Sequence, residues 1–177
     1  MFAITERLLL RPGWAEDAPA LARALADESV VRNLSRVPWP YGLADAEHFL
    51  SLPQDALRPA FLIIRRADNV LLGGIGLHGA GDAELGYWLA RDHWGQGYAT
   101  EAGRAVVALA DESLRLPRLA ASHALDNPAS GHVLRKLGFR PGATASLASL
   151  GRGGEMAIRR FSRERLVPRN GEAPLAA

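Results

Sequence analysis

The chain contains no cysteine. Disulfides, a thiolate nucleophile and thiolate zinc sites are therefore excluded, and no metal centre is expected. Lysine is nearly absent as well: Lys136 is the only one, so the 21 basic residues are otherwise arginine. Set against 19 acidic residues, they leave a net charge of only +2. No basic block of nucleic-acid-binding length occurs, so no nucleic-acid partner is expected. No apolar run approaches the ~18 residues a membrane helix needs. The segment Met1-Phe2-Ala3-Ile4-Thr5-Glu6 has neither the basic region nor the apolar stretch of a secretory signal. The expectation is a cytoplasmic chain with no membrane partner. A P-loop is also missing, because Gly-Lys-Ser/Thr never occurs. What is present is 177 residues, 48% of them hydrophobic. That suits one domain of ordinary size, burying roughly 70% of its unfolded surface. The domain is expected over 1–166. A flexible tail is expected over 167–177, where Pro168 and Pro174 stand among few large apolar groups.

Periodicity gives the elements. Ile4 to Arg11 alternates, with Leu8 and Leu10 on one face, and reads as a strand ended by Pro12-Gly13. Asp17 to Ala26 has helical spacing at Ala18, Leu21, Ala22 and Leu25. Short helices are expected at Val30–Ser35 and Asp45–Leu52, separated by the loop Pro38-Trp39-Pro40-Tyr41-Gly42. Phe61–Arg65, Val70–Leu77 and Ala83–Leu89 form a three-strand meander. The longest helix is expected over Tyr98–Ser113. A strand at Arg118–Ala124 follows, then a helix from Pro128 to Leu137 stopped by Gly138. Phe139 and Met156–Phe161 supply the last strands, and Ser146–Gly154 reads as a loose loop. The order predicts an α+β fold with a mixed, mostly antiparallel central sheet. The strand after the longest helix is expected to pair parallel to Ala83–Leu89.

The richest stretch is Trp94-Gly95-Gln96-Gly97-Tyr98-Ala99-Thr100-Glu101-Ala102. It joins a strand to a helix N-terminus through glycines. Glycines let backbone N–H groups approach a ligand, and the helix end carries partial positive charge. That combination binds phosphates and other anions. A competing motif, Gly74-Ile75-Gly76-Leu77-His78-Gly79, is a literal G-x-G-x-x-G. A dinucleotide site would need a helix directly after it. A turn and another strand follow instead, so it reads as a glycine-rich strand end.

Several pieces in order resemble the GNAT acetyltransferase superfamily, nearest to its RimJ/RimL-like branch. They are Thr5-Glu6-Arg7-Leu8-Leu9-Leu10-Arg11, Trp39-Pro40-Tyr41, Glu84-Leu85-Gly86-Tyr87-Trp88-Leu89 and the Trp94–Ala102 stretch. Asn127-Pro128-Ala129-Ser130 and Lys136-Leu137-Gly138-Phe139 complete the set. The resemblance covers roughly residues 4–163 and implies the GNAT-like sheet with helices on both faces. It implies acetyl-CoA as co-substrate, its pyrophosphate held by amides from Gly95 through Gln96, Gly97, Tyr98 and Ala99 to Thr100. In the family pattern Gln/Arg-x-x-Gly-x-Gly/Ala, Gly97 and Ala99 match the last two positions. Trp94 stands where Gln or Arg is usual. Asn127 occupies the position that contacts the pantetheine arm. It is also an expected helix cap. Arg135 and Lys136 are candidates for the 3′-phosphate or plain solvated charges. Many GNAT enzymes carry a general-acid tyrosine seven residues after that asparagine. Here the position is Leu134. In RimL-like enzymes a serine three residues after the asparagine takes this place, which here is Ser130. A homodimer is the family expectation.

The implied reaction moves an acetyl group from a thioester to an amine. At pH 7 an amine is mostly ammonium, so a base must accept a proton, directly or through water. The favoured base is Glu84, on the same strand face as Gly86 and Trp88. Glu101, His78 and His93 are rivals. The oxyanion needs a donor, which the backbone N–H near Leu89 supplies if the strand splays as the family implies. Trp39, Tyr41, Tyr87 and Trp88 are candidates for the acceptor wall or for core packing. The acceptor would be a protein N-terminal α-amine or a small-molecule amine. The other reading is a non-catalytic acyl-CoA sensor, motivated by Leu134.

Overall fold

The computed structural model describes residues 1–165. The strands are β1 (Ala3–Ile4), β2 (Leu8–Arg11), β3 (Ala60–Arg65), β4 (Val70–His78) and β5 (Ala83–Leu89). They continue with β6 (Arg118–Ala124), β7 (Arg140–Ser149) and β8 (Gly154–Glu164). The helices are α1 (Ala18–Leu25), α2 (Glu28–Val31), α3 (Leu43–Ser51), α4 (Tyr98–Ala108) and α5 (Pro128–Lys136). All eight strands form one sheet, in the order β1-β2-β3-β4-β5-β6-β8-β7. Neighbours are antiparallel except β5 and β6, which are parallel as expected. A parallel neighbour cannot be reached by a tight turn, so the chain crosses through α4.

Helices cover both faces of the sheet, and β3 shows why. Phe61, Leu62, Ile63 and Ile64 are all buried, yet a strand sends successive side chains to opposite faces. Phe61 and Ile63 pack with Ala102 and Val106 of α4 and Leu134 of α5. Leu62 and Ile64 pack with Ala18 and Leu21 of α1, Val30 of α2 and Ala46 of α3. Each fully buried leucine or isoleucine contributes roughly 1.5–3 kcal/mol. Both layers are therefore needed to cover the central strands. Within β4, Gly74 makes room for β5: a Cβ there would stand 2.7 Å from the Trp88 indole nitrogen.

Four expectations change. The strand read over Ile4–Arg11 is two strands joined by a turn, with Ala3 opposite Leu10. Thr5 makes the turn. Its N–H donates to the Leu8 carbonyl at 2.9 Å and its hydroxyl accepts from Leu8 N–H at 3.0 Å. The second helix lies at Glu28–Val31 rather than Val30–Ser35, because the Asp27 carboxylate caps it by accepting from Ser29 N–H at 2.8 Å. The long helix ends at Ala108 and continues as a π-helical turn over Leu109–Ser113. The loose loop over Ser146–Gly154 is mostly strand, since β7 runs to Ser149 and pairs with β8 down to Ser149 opposite Gly154. β7 is the edge of the sheet and is largely exposed. An exposed edge strand needs no alternating apolar pattern and tolerates Pro141, so periodicity could not find it. The expected tail over 167–177 lies outside the described residues.

The feature that positions the site is a separation of β5 from β6. β5 pairs with β4 along its length, from Glu84 opposite His78 to Leu89 opposite Gly73. It pairs with β6 only from Ala83 opposite Leu119 to Leu85 opposite Ala121. β6 continues to Ala124, held by β8. The strands part after Leu85, and the edge of β5 from Gly86 to Leu89 is left without a β6 partner.

Candidate active site

The open edge of β5 ends in an amide with a defined direction. Ala90 N–H donates to the Leu72 carbonyl at 2.8 Å, toward β4. Alternation then turns the Leu89 N–H the opposite way, into the cleft. The Leu89 carbonyl, on that same side, accepts from the Trp94 indole N–H at 2.8 Å. Trp94 thus ties the glycine loop back to the strand end. This is a structural use for Trp94, at the position where the resemblance leads one to expect Gln or Arg.

The loop holds its shape through two left-handed glycines, Gly95 at φ 73° and Gly97 at φ 83°. Gly97 is the N-cap of α4. Among the described residues, no acceptor takes the N–H groups of Gly95, Gln96 or Gly97. Those of Tyr98, Ala99 and Thr100 open the helix and have no intrahelical partner. The stretch therefore offers a row of free donors at a positive helix end. Gln96 folds back, donating from Nε2 to the Asp92 carbonyl at 3.0 Å.

A brace beneath this loop was not foreseen from spacing. Arg7 donates from Nη1 to the Gln96 carbonyl at 3.1 Å and from Nε to Glu101 Oε2 at 2.7 Å. Thr5 Oγ1 donates to Glu101 Oε1 at 2.6 Å. Burial pushes the Glu101 carboxyl up, but these hydrogen bonds outweigh it and hold it below its ordinary range. A carboxylate so engaged is a poor proton acceptor. The β1–β2 turn thus locks the helix that carries the loop.

Glu84 lies on the α1–α3 face, opposite His78 across the β4–β5 ladder. Ser122 of β6 donates to its Oε1 at 2.7 Å. The His78 ring lies over Gly86, where a Cβ would come within 2.9 Å of Nε2. Its Nδ1 is buried with no hydrogen-bond partner. Burial pushes this imidazole below its ordinary range against the opposing pull of Glu84, and nearby Arg36 lowers it further. His93 sits apart, on the 3-10 turn after β5.

Across the cleft stands the N-terminus of α5. Asn127 caps it, its Oδ1 accepting from Ser130 N–H at 3.3 Å. The Ser130 hydroxyl is 2.7 Å from the Tyr87 hydroxyl of β5. Leu134, one turn later, is fully buried in the core. Arg135 and Lys136 are exposed at the far end of the helix.

The acceptor candidates separate. Trp39 is 39% exposed and lines a cavity of about 550 Å³ with Glu28, Arg32, Leu150 and Arg152. Tyr41 is buried in the α1–α3 core, where burial pushes its phenol up to about 12. Trp88 packs against that same cluster over Gly74. The cavity is anchored by Asp126, which accepts from Arg32 at 3.2 Å and Arg152 at 2.8 Å. Asp126 directly precedes Asn127, so the cavity adjoins the α5 N-terminus. The arginine pair was not recognisable beforehand, because Arg32 and Arg152 are far apart in sequence. Among the described residues no group of three or more His, Asp or Glu side chains could hold a metal ion. No helix among them is long and apolar enough to cross a membrane.

Comparison with known proteins converges on one family. The chain is 33% identical over 156 residues to the uncharacterized N-acetyltransferase YoaA of Bacillus subtilis (strain 168), covering 79% of this chain and 84% of that one. The crystal structure of a GNAT-family acetyltransferase from Bacillus anthracis superposes with a TM-score of 0.78 at 24% identity, covering 93% and 98% of the two chains. RimL, the ribosomal L7/L12 alpha-N-protein acetyltransferase in complex with coenzyme A, superposes with a TM-score of 0.79 at 20% identity over 93% and 98%. Because the profile of the acetyltransferase (GNAT) domain also matches residues 7–140, the chain belongs to the GNAT acetyltransferase family and is an acyltransferase.

Proposed function

We propose that this chain transfers an acetyl group from acetyl-CoA to a primary amine by direct attack within a ternary complex. The observation that carries the reading is the parting of β5 from β6 after Leu85. It opens a slot between two helix N-termini, one with the glycine loop and one capped by Asn127. The residues fit the co-substrate. Free amides from Gly95 to Thr100 suit a pyrophosphate, whose grip comes from backbone N–H groups and the helix end rather than a side chain at position 94. Asn127 stands where the pantetheine arm would pass.

The chemistry divides among the chain's own groups. Glu84 accepts the proton the amine must lose, directly or through a water, and Ser122 orients its carboxylate. The Leu89 N–H receives the developing oxyanion; one such donor is worth roughly 3–4 kcal/mol. Ser130 and the positive end of the α5 helix stabilise the departing thiolate. With no cysteine in the chain, an acyl-enzyme on sulfur plays no part. The Trp39 cavity is the proposed acceptor site, since it adjoins Asp126 beside the thioester end of the slot. RimL, whose fold this chain shares, is described as an alpha-N-protein acetyltransferase. A protein N-terminal α-amine and a small-molecule amine are both carried as acceptors.

A second reading, a non-catalytic acyl-CoA sensor, is favoured by one observation: Leu134 is sealed in the core where the family's acid usually stands. Release of free CoA thiol from acetyl-CoA over a panel of peptides, aminoglycosides, polyamines and small amines tests the two. Thiol release with at least one amine is expected. Binding of acetyl-CoA with no release from any amine would establish the sensor instead.

A further inference from the structure

Without the usual acid, the departing sulfur needs another hydrogen-bond donor, and a residue of β5 bears on it from the other side of the slot. Tyr87 lies two residues beyond the last β5–β6 pair, Leu85 opposite Ala121. Its ring packs against the core on the α4–α5 side. Its hydroxyl spans the opening to α5, 2.7 Å from Ser130 Oγ and 2.9 Å from the Ser130 carbonyl. We propose that Tyr87 is the positioning residue for thiolate departure, donating its proton to Ser130 Oγ so that the serine proton faces the thioester sulfur. The proposal rests on the reading of Ser130 as the thiolate's partner.

The argument is a count of protons. Each hydroxyl has one. If the phenol donates to the Ser130 carbonyl, the serine hydroxyl donates to the phenol oxygen and keeps nothing for sulfur. If the phenol donates to Ser130 Oγ, the serine proton is free for a third group. The side chain of a serine in a first helical turn otherwise turns readily to nearby backbone groups. A fixed phenol removes that freedom. Burial pushes the Tyr87 phenol up to about 12, against the lowering effect of its bond with Ser130. It therefore stays protonated, and remains a donor, throughout the neutral range.

The step balances without a further reactant. The amine nitrogen bonds to the carbonyl carbon, the C–S bond breaks, and its electron pair goes to sulfur. Ser130 Oγ–H hydrogen-bonds that charge. The thiol's final proton is the one released by the amine, carried through the base and water. Tyr87 and Ser130 end as they began.

The test uses the full chain, acetyl-CoA and an amine shown to release thiol. Tyr87→Phe keeps the ring and removes the hydroxyl. We expect kcat to fall on the order of 10- to 100-fold, as for lost orientation of a reacting group, with KM for acetyl-CoA little changed. Ser130→Ala should fall at least as far, and the double variant no further than Ser130→Ala alone. An unchanged kcat in Tyr87→Phe, or a double variant showing the product of both losses, would overturn the proposal. Ser130→Ala with wild-type kcat would remove the Ser130 reading itself, and that outcome is separate from any Tyr87 result.

A second measurement covers the case where Tyr87→Phe does not fold. Placing 3,5-difluorotyrosine at position 87 keeps the contact but makes the phenol more acidic. Once ionised, that phenolate must accept from Ser130, so the bridge survives while the serine proton is turned away from sulfur. An alkaline loss of kcat that the wild type lacks, with acetyl-CoA affinity intact, is the expected result. A profile identical to wild type would show the bridge to be structural only.

Discussion

Leu134→Tyr restores the residue that many GNAT enzymes use as their acid, and we expect it to fail. Leu134 and Ser130 are four residues apart and share a side of α5, which makes the substitution look reasonable on paper. The packing decides otherwise. Leu134 has no exposed surface and lies in the same cluster as Phe61, Ile63 and Val106. A tyrosine there must fit a larger ring into a filled space, which costs about 1–3 kcal/mol. Its hydroxyl would be buried without a partner, at roughly 1–3 kcal/mol more. Taking about 3 kcal/mol for the sum, a protein of this size loses roughly 6–12 °C in Tm. Circular dichroism on heating measures the stability, and thiol release gives kcat. We expect the Tm to drop by about that amount with no rise in kcat. A variant with wild-type Tm and raised kcat would show that position 134 reaches the cleft, and would undo the assignment of the leaving-group role to Ser130.

Three further outcomes follow from the site and the frame around it. Gly97→Trp puts a bulky side chain at φ 83°, which L side chains rarely adopt, with its Cβ 3.5 Å from Arg7 Nη2 of the brace; the loop should distort and acetyl-CoA binding vanish by calorimetry, and an unchanged Kd would displace the pyrophosphate from this loop. Glu84→Gln should lower kcat at pH 7 by roughly 100-fold, and less at high pH where the amine is already free; a loss independent of pH would count against a base. Asp17→Ala breaks a largely buried pair with Arg11, whose Nη1 lies 2.7 Å from the carboxylate, and should cost roughly 3 kcal/mol at neutral pH. Burial raises the Asp17 carboxyl, but bonds from Arg11 and Trp14 outweigh it and hold it below the ordinary 3.8. The unfolded chain therefore binds that proton more tightly, so the stabilisation is complete above about 3.8 and fades as pH falls through the lower folded value. Urea midpoints of Asp17→Ala and wild type should converge in strong acid, and a constant gap would contradict the pairing.

Local signals decided what sequence could show. The Trp94–Ala102 stretch announced itself because a glycine-rich strand-to-helix turn is built from contiguous residues, glycines first and a helix start after. Asn127-Pro128 marked the α5 N-terminus for the same reason. The strands β3 to β6 were legible because burial imprints an apolar pattern on each. What stayed hidden depends on residues distant in the chain. β7 carries no pattern because its solvent-facing edge demands none. The Arg7–Glu101 brace joins residues 94 positions apart. Tyr87 and Ser130 are 43 apart, and nothing in either segment says that their hydroxyls meet. Tyr41, Trp88 and Trp39 looked alike as aromatic residues near a loop or strand. Only the packing of α1–α3 against the sheet buried the first, laid the second over Gly74 and left the third at the cavity.

By itself, then, the sequence determined the family, the sheet order around β5 and β6, and the glycine loop that opens α4. These rest on short-range spacing, which backbone geometry converts directly into turns, strands and helix ends. Tertiary structure decided which hydroxyls meet across the opening between β5 and α5, which carboxylate is tied up in a brace and which aromatic residue borders the cavity beside Arg32 and Arg152. Those choices depend on where β5 parts from β6 and how closely two helix layers pack, quantities set by the whole core at once.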